Sequence, residues 1–385
     1  MVVKLFCNLS KYDDKLIEIL QRNPHTAQFF CTFNNSKVIT DNKNNKNNKN
    51  KKGIIMNCNS KIKIYNKSDE PDKKYHQLDN YVADMKKYSR IVKPNMPSLP
   101  YKSSYQKLHT LIHWGQRKLL FSEIEFLTLY HQFGDIVVYA GSALGEHILI
   151  LADMFPKLHF ILVDPRKFNE DLIDVPNITL ISGYLNKESA KEIKQKHNNK
   201  KILLISDIRT GLDVGKADFP SDEEVYADMK LQQSFYELLD PEWSMFKFRL
   251  PWEAKTMSYM EGEIYLQIFA AEQSSETRLI VGKNAKKKTY NAVKYDNQLY
   301  YFNTITRCQC YNHQYSVDGM DHCYDCYTEF KLLEDYYKMV GEKEFKKKVG
   351  GKTDKELVEN TSRYITKILC KYGMNKFKFN YKICC

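Results

Sequence analysis

The chain has 385 residues, 43% of them hydrophobic, enough for one large α/β domain with appendages or for two domains with a substantial core. No run approaches the roughly 18 consecutive apolar residues of a membrane span, and the opening MVVKLFCNLSKYDDK lacks a secretory apolar stretch, so an intracellular protein without a membrane partner is expected. A net charge of +12 with 13% aromatic residues suits an anionic partner carrying stackable rings, which is nucleic acid, although Lys/Asn-rich composition also follows nucleotide bias.

In chain order, KYDDKLIEILQR has helical apolar spacing, and residues 41–52, DNKNNKNNKNKK, cannot bury a core and are expected to be disordered. The stretch from Asn66 to Lys93 is polar with weak structure, so 1–92 is set apart as an N-terminal extension. KPNMPSLPY, Lys93 to Tyr101, reads as an extended arm into the main domain. Tyr105 to Tyr130 carries apolar residues at helical spacing. Seven short apolar runs then read as strands: DIVVYA, HFILVD, ITLISGY, KILLISD, MFKFRLP, EIYLQIF and TRLIVGK. Helical stretches are expected between the first five, and a tight antiparallel return between the last two. Such alternation implies right-handed crossovers and a mostly parallel sheet with helices on both faces. Beyond Asp321 the pattern is helical, and 338–385 reads as a helical basic tail.

The first of these strands runs into GSALG, Gly141 to Gly145, and the second closes on Asp164. In a doubly wound sheet, ligands sit beyond the carboxyl ends of the strands, where glycine lets backbone approach the ligand and an acidic side chain meets ribose hydroxyls. The loop is neither G-x-G-x-x-G nor a Walker motif, so a nucleoside without phosphates, such as S-adenosylmethionine, fits better than a dinucleotide. A glycine turn after a strand can also be only a turn.

Further stretches carry a resemblance: GQRKLL, VVYAGSALGEHI, ILVDPR, KILLISDIR, SMFKFRLPW, SSETRLIV and YDNQLYYFNTI occur in order. Over roughly Pro97 to Tyr337 the chain resembles the poxvirus-type cap-specific mRNA (nucleoside-2'-O)-methyltransferases, which double as small regulatory subunits of a poly(A) polymerase. The resemblance implies a Rossmann-like S-adenosylmethionine-dependent methyltransferase with a seven-stranded, mostly parallel sheet, its domain spanning 93–337. It implies a host-cytoplasmic viral factory or the virion as the compartment, capped mRNA as substrate and a poly(A) polymerase catalytic subunit as a further partner.

Carried over residue by residue, Lys118, Asp207, Lys247 and Glu276 resemble the Lys-Asp-Lys-Glu tetrad of RNA 2'-O-methyltransferases. A ribose hydroxyl is a poor nucleophile near neutral pH. A lysine of depressed pKa, here Lys247, can take or steer its proton, while Lys118 stabilises developing oxyanion character and Asp207 and Glu276 hold the ammonium groups. The cofactor positions are Gln116, Gly141, Ser142, Ala143, Gly145, His147, Asp164, Arg166 and Arg209, with Tyr184 and Leu185 as the aromatic-aliphatic pair on the adenine. Leu144 departs from the family's usual proline in this loop. For the cap, a cationic N7-methylguanine calls for stacking rings and a carboxylate. The resemblance offers Trp252 and Asp296, with Glu253 beside Ala254, where the family has an acid, and Tyr101 as the opposite wall, with Tyr105 in reserve.

RCQCYNHQYSVDGMDHCYDCY gathers Cys308, Cys310, His313, His322, Cys323 and Cys326. The spacing is irregular for zinc, so buried reduced thiols are expected, a structural zinc is the alternative, and no catalytic metal is expected. Two further readings compete with cap methylation: a 2'-O-methyltransferase of internal RNA positions, and a non-catalytic RNA-binding processivity subunit of a poly(A) polymerase.

Overall fold

The computed structural model describes residues 82–101, 112–209, 220–270, 274–307, 309–317, 320 and 322–373, and the backbone of four short strands nearer the N-terminus. Those strands pair antiparallel, β1 (Val3–Lys4) with β2 (Ile39–Thr40) and β3 (Gly53–Met56) with β4 (Ile62–Tyr65). The tract 41–52, the helical element expected before it, Tyr105 and the chain after Gly373 lie outside the described residues.

Each of the seven apolar runs supplies a strand of one sheet: β5 (Ile136–Ala140), β6 (His159–Asp164), β7 (Ile178–Ser182), β8 (Ile202–Ser206), β9 (Trp243–Phe248), β11 (Glu263–Tyr265) and β12 (Thr277–Gly282). Their order is β11-β12-β9-β8-β5-β6-β7. β5 to β9 are mutually parallel, whereas β12 runs antiparallel to both β9 and β11. Every residue of β5 and β8 is buried, as continuous Val/Ile/Leu runs require of strands covered on both faces.

Helices α1 (Ile112–Tyr130), α6 (Tyr324–Met339) and α8 (Asp354–Gly373) pack together, and α2 (Ile148–Met154) touches α1 and α7 (Lys343–Val349). Right-handed crossovers place α3 (Lys187–Lys196) and α4 (Asp222–Leu239), which pack on each other, against the other face. α4 starts at a capping box: Ser221 Oγ accepts from the Glu224 N–H at 3.2 Å, and Glu224 accepts from the Ser221 N–H at 2.8 Å.

Two expectations need correction. Between β6 and β7 the chain forms no α-helix, only a 3-10 turn at Glu170–Leu172; Pro165 and Pro176 bracket a link too interrupted to propagate one. Outside the sheet, β10 (Thr256–Met260) and β13 (Lys287–Asn291) form an antiparallel ribbon that the apolar pattern did not indicate. β13 is exposed except for Tyr290, and β10, which buries Met257, Tyr259 and Met260, is only five residues long, so the apolar signal is short.

The arm Lys93–Tyr101 is irregular, as expected, and lies along α5 (Ala292–Tyr301): Leu99 N–H donates to the Asn297 carbonyl at 3.0 Å, and Tyr101 N–H to Asn297 Oδ1 at 2.8 Å. Residues 82–92, grouped by composition with the extension, pack on the domain. Val82 bridges Cys310, Ile91 bridges Tyr265, and Arg90 grips Glu125 bidentately at 3.0 and 2.7 Å. At the other end, buried Arg117 of α1 ties Glu329 of α6 to Thr366 of α8, so the C-terminal helix is bolted to the helix that carries Lys118.

Candidate active site

The parallel pairing of β8 with β5 brings Asp207, just past β8, against the loop that follows β5. Its N–H donates to the Ala140 carbonyl at 3.0 Å. Gly141 has φ +77°, and a Cβ there would lie 3.0–3.2 Å from the backbone of Asp207 and Ile208, so glycine is required for the two loops to meet. Ala143 and Gly145 also adopt positive φ, 55° and 72°. For Ala143 that conformation is strained, and it aims the Ala143 N–H at Asp164 Oδ2, 2.7 Å away.

Lys118 of α1, Asp207, Lys247 of β9 and Glu276 at the start of β12 converge. Lys118 Nζ lies 2.8 Å from Glu276, while Lys247 Nζ lies 3.2 Å from Asp207 and 3.6 Å from Glu276. A cation absent from the sequence reading joins them: Arg278, directly opposite Lys247 in the β9–β12 register, lies 2.8 Å from Asp207, out of line for a hydrogen bond, and 3.6 Å from Glu276. Two cations facing each other across a ladder repel, and the two carboxylates between them are what make the register tolerable. Arg209, expected at the cofactor, also reaches Glu276 at 3.7 Å and is anchored at 3.4 Å by buried Asp228 of α4.

The carboxyl groups report this balance. Burial alone would push Asp207 up, but Lys247 and Arg278 outweigh it and hold the group below the usual carboxylate range. Glu276 is likewise opposed by burial, yet Lys118, Lys247, Arg278 and Arg209 hold it well below that range. Behind them Gln267 fits one amide orientation, donating to Glu276 Oε1 at 3.3 Å and accepting from Arg278 Nε at 2.9 Å.

The positions expected around the cofactor divide. Asp164, at the end of β6, spends all four acceptor directions on Ala143 N–H and on the Arg166 N–H, Nε and Nη2, at 2.7–3.0 Å. Burial opposes its charge, and these bonds still hold its carboxyl low. The Arg166 side chain is 60% exposed, so it can yield a bond to an incoming hydroxyl. Gln116 Oε1 and Ser142 Oγ are buried without a hydrogen-bond partner. Orphaned polar atoms beside a glycine cradle and a carboxylate at a parallel strand's end are the donor set a nucleoside cofactor needs, so the residues present fit S-adenosylmethionine.

His147 is fully buried: its Nε2 is 3.0 Å from Glu123 Oε1, which also accepts from the Tyr139 hydroxyl, while its Nδ1, like Ser142 Oγ, is buried without a partner. Tyr184 and Leu185 differ in exposure. Tyr184 is 73% exposed, whereas Leu185 is buried in the core.

A second cluster lies at the start of the β10–β13 ribbon. Trp252 is 44% exposed, unusual for so large an apolar ring, and its Nε1 donates to Ser275 Oγ at 3.2 Å. The Arg249 guanidinium lies 4.0 Å from its ring centroid and donates to Asp222 Oδ1 at 3.0 Å. Asp296 of α5 is buried with Oδ1 lacking a partner, and burial, only partly offset by Arg249, pushes its carboxyl up to about 7. Tyr101 stands within reach of the same charges: burial first, then Asp296, raises its hydroxyl. Glu253 is exposed, and it is its N–H that is engaged, donating to Asp222 Oδ2 at 2.8 Å.

Arg249 and Arg278, like Ser275, were passed over in the sequence. A signal existed for the arginines, since each sits two residues beyond an assigned charge, Lys247 or Glu276, at the spacing that returns to one side of an extended chain. In the cysteine-rich stretch Cys323 and Cys326 are buried thiols and Cys310 is partly buried, while Cys308 lies outside the described residues. Among the described residues no three His, Cys, Asp or Glu groups are placed to hold a metal, and no helix is long and apolar enough to cross a membrane.

Residues 91–357 match a family described as Poly A polymerase regulatory subunit. Two relatives carry the name cap-specific mRNA (nucleoside-2'-O-)-methyltransferase. That of Myxoma virus (strain Lausanne) is 29% identical over 245 residues, covering 59% of this chain and 70% of the relative. That of Fowlpox virus (strain NVSL) is 30% identical over 246 residues, covering 57% and 76%. Among solved structures, bluetongue virus VP4, described as a multifunctional RNA-capping production line, overlaps at 14% identity with a TM-score of 0.36. That overlap covers 58% of this chain, which spans only 40% of the VP4 chain.

Proposed function

The chain belongs to the poly(A) polymerase regulatory subunit family, and from that premise we propose that it methylates the ribose 2'-hydroxyl of the first transcribed nucleotide of N7-methylguanine-capped mRNA. The observation that carries this reading is the convergence of Lys118, Asp207, Lys247 and Glu276, with every partner distance at or below 3.6 Å. S-adenosylmethionine supplies an electrophilic methyl group, held by the Gly141–Gly145 loop, Gln116, Ser142 and Asp164. Lys247 accepts the proton of the 2'-hydroxyl, a role open to a lysine in its amine form. Asp207 and Glu276 fix the position of its Nζ, and Lys118 and Arg278 stabilise negative charge developing on the ribose oxygen.

Trp252 and Asp296 are the groups that recognise the cap. A cationic base stacks on the exposed ring, and its N–H donors satisfy the unpartnered Asp296 oxygen. Arg249 and Arg209 lie between this slot and the tetrad, where an anionic bridge to the first nucleotide would pass.

Methyl transfer to RNA bearing an N7-methylated cap, an unmethylated cap or no cap tests the reading. Transfer confined to the N7-methylated substrate is expected. Equal transfer to uncapped RNA would put internal 2'-O-methylation in its place. The family description favours a second role beside the first, stimulation of a poly(A) polymerase catalytic subunit. Lys247→Ala protein, inactive in methyl transfer, should retain that stimulation.

A further inference from the structure

We propose that the pole of the domain opposite the active site is a second RNA-binding surface, on which Lys196, Lys200 and Lys201 take the phosphates of single-stranded RNA and Phe133 stacks on a base. No residue of this surface belongs to the tetrad, the cofactor loop or the cap slot, so it stands apart from the methyl-transfer reading.

Parallel pairing gives the sheet two different ends. Gly141 follows β5, Asp164 closes β6 and Asp207 follows β8, so the site gathers at the carboxyl ends. The amino ends meet at the other pole. There the Asp135 N–H, just before β5, donates to the Lys201 carbonyl at 2.8 Å, and the Asp135 carbonyl accepts from the His159 N–H at 3.1 Å. The segments entering β5, β6 and β8 therefore lie side by side. Lys196 is in the last turn of α3, and the Lys200 N–H donates to the His197 carbonyl at 3.0 Å in the turn that leads to Lys201. Phe133 lies two residues before Asp135, in the 3-10 turn His131–Phe133 that follows α1. At about 3.3 Å per residue, the strand β5 puts roughly 17 Å of buried core between this pole and Gly141.

The charges here are uncompensated. Elsewhere on the surface lysines find carboxylates: Lys167 meets Glu170, Lys347 meets Glu344, Lys348 meets Asp153 and Lys371 meets Asp171, at 2.5–2.8 Å. Lys196, Lys200 and Lys201 are exposed, and none pairs with an acid among the described residues, not even Lys196 with Glu192 one helical turn earlier. The other acids at this end are taken, Asp135 by the Lys201 N–H at 2.8 Å, and Asp240 and Glu242 by Lys283 at 3.3 and 2.8 Å. Neighbouring imidazoles register the excess. Burial and then Lys196 hold His159 below its ordinary range, and at His197 burial is joined by Lys196, His159 and Lys200. Phe133, at the same end, is 41% exposed. Lysines that repel one another and a ring left in water both cost stability, and a polyanion with unpaired bases relieves both. Phosphates displace counterions at the ammonium groups while a base covers the ring. An acidic polypeptide would neutralise the lysines but brings no flat ring with each charge to lay on Phe133.

The test uses the full chain and uncapped single-stranded RNA of mixed sequence. Replacing Lys196, Lys200 and Lys201 together by Gln should weaken binding about 10-fold at low salt and make the slope of log affinity against log salt shallower by about 2, the counterion release of three phosphates on a single strand. Phe133→Ala should weaken binding about 5-fold at unchanged slope, the loss of one stacked base. Methyl transfer to a capped RNA too short to leave the cleft should keep its kcat and KM in both proteins, whereas a long capped RNA should show a raised KM. Melting temperatures on the same proteins detect misfolding, and Phe133→Leu, which keeps bulk but loses the flat ring, replaces Phe133→Ala if that unfolds. Unchanged affinity and salt slope in the triple variant would overturn the proposal, and equal losses on the short capped RNA would do so by placing the lysines in the cleft. Polyglutamate competing as well as RNA, with no effect of Phe133→Ala, would make the partner an acidic protein instead. Absence of methyl transfer by the unsubstituted protein would overturn the function proposed above and leave this surface, read by direct RNA binding, in place.

Discussion

The tetrad and the cap slot lie a few residues apart yet are built on opposite electrostatic plans. In the tetrad every charge has an opposite charge beside it within the protein. Asp207 and Glu276 are held low by Lys118, Lys247, Arg278 and Arg209, so the geometry exists before any substrate arrives. In the slot the compensation is incomplete: Asp296 has a buried oxygen without a partner and a carboxyl raised to about 7, beside the half-exposed Trp252 ring that Arg249 approaches. The first region is preorganised for chemistry. The second keeps a buried oxygen without a partner, which costs stability and, under the proposed reading, is where the N–H donors of a cationic base would bind.

The largest effect that would sharpen this contrast is at Lys247. Lys247→Ala should lower kcat by about 10²- to 10⁴-fold, the usual contribution of a positioned acid or base, while leaving S-adenosylmethionine affinity measured by calorimetry nearly unchanged. Equal loss of both would make the lysine structural and remove the distinction.

Next comes the stability cost in the slot. Asp296 has a folded pKa of about 7 against an ordinary 3.8, so its ionisation is penalised in the folded state. The penalty is absent below 3.8, grows as pH rises, and is complete above about 7. At about 1.4 kcal/mol per pH unit, Asp296→Asn should be more stable than the native protein at pH 8 by at most about 4 kcal/mol, less what solvent at the slot's mouth screens. The advantage should fade in denaturant titrations between pH 7 and 4, and the same variant should bind cap more weakly. A pH-independent difference would show that the carboxylate is already paired.

Trp252→Ala should then cost about 1–3 kcal/mol in capped-RNA affinity, read as a raised KM. Its preference for N7-methylated over unmethylated cap should shrink. Undiminished preference would move cap recognition elsewhere. The smallest effect belongs to Glu253: with its N–H rather than its carboxylate engaged, Glu253→Ala should change cap affinity by less than about 0.5 kcal/mol. A larger loss would mean that the side chain closes over the ligand.

Much of this architecture was legible before folding was considered. Seven apolar runs declared seven strands, most plainly β5 and β8, since a strand covered on both faces must be apolar throughout, and GSALG declared a backbone turn because glycine alone enters left-handed conformations freely. The β10–β13 ribbon was not legible, since KKTYN lies almost wholly on the surface and the alternation of TMSYM lasts only a few residues. His147 shows what residue type alone leaves out: its place in the loop suggests a ligand contact, and packing adds that Glu123 shares one oxygen between it and Tyr139.

The sequence by itself determined the inventory: which segments form the central sheet, where the turn residues fall, and which lysines and carboxylates a resemblance could single out. Only the tertiary structure decided who meets whom. Asp207 reaches Gly141 because β8 pairs with β5, and Arg278 faces Lys247 because β12 runs antiparallel to β9 in one particular register. Tyr295 and Asn303 reach the peptides just before Glu276 because α5 and the turn after it fold back over the start of β12. Periodicity is a property of neighbours along the chain, which fixes elements. Ion pairs and buried hydrogen bonds join residues more than a hundred positions apart, such as Lys118 and Glu276, and their partners exist only once the sheet order and register have been chosen.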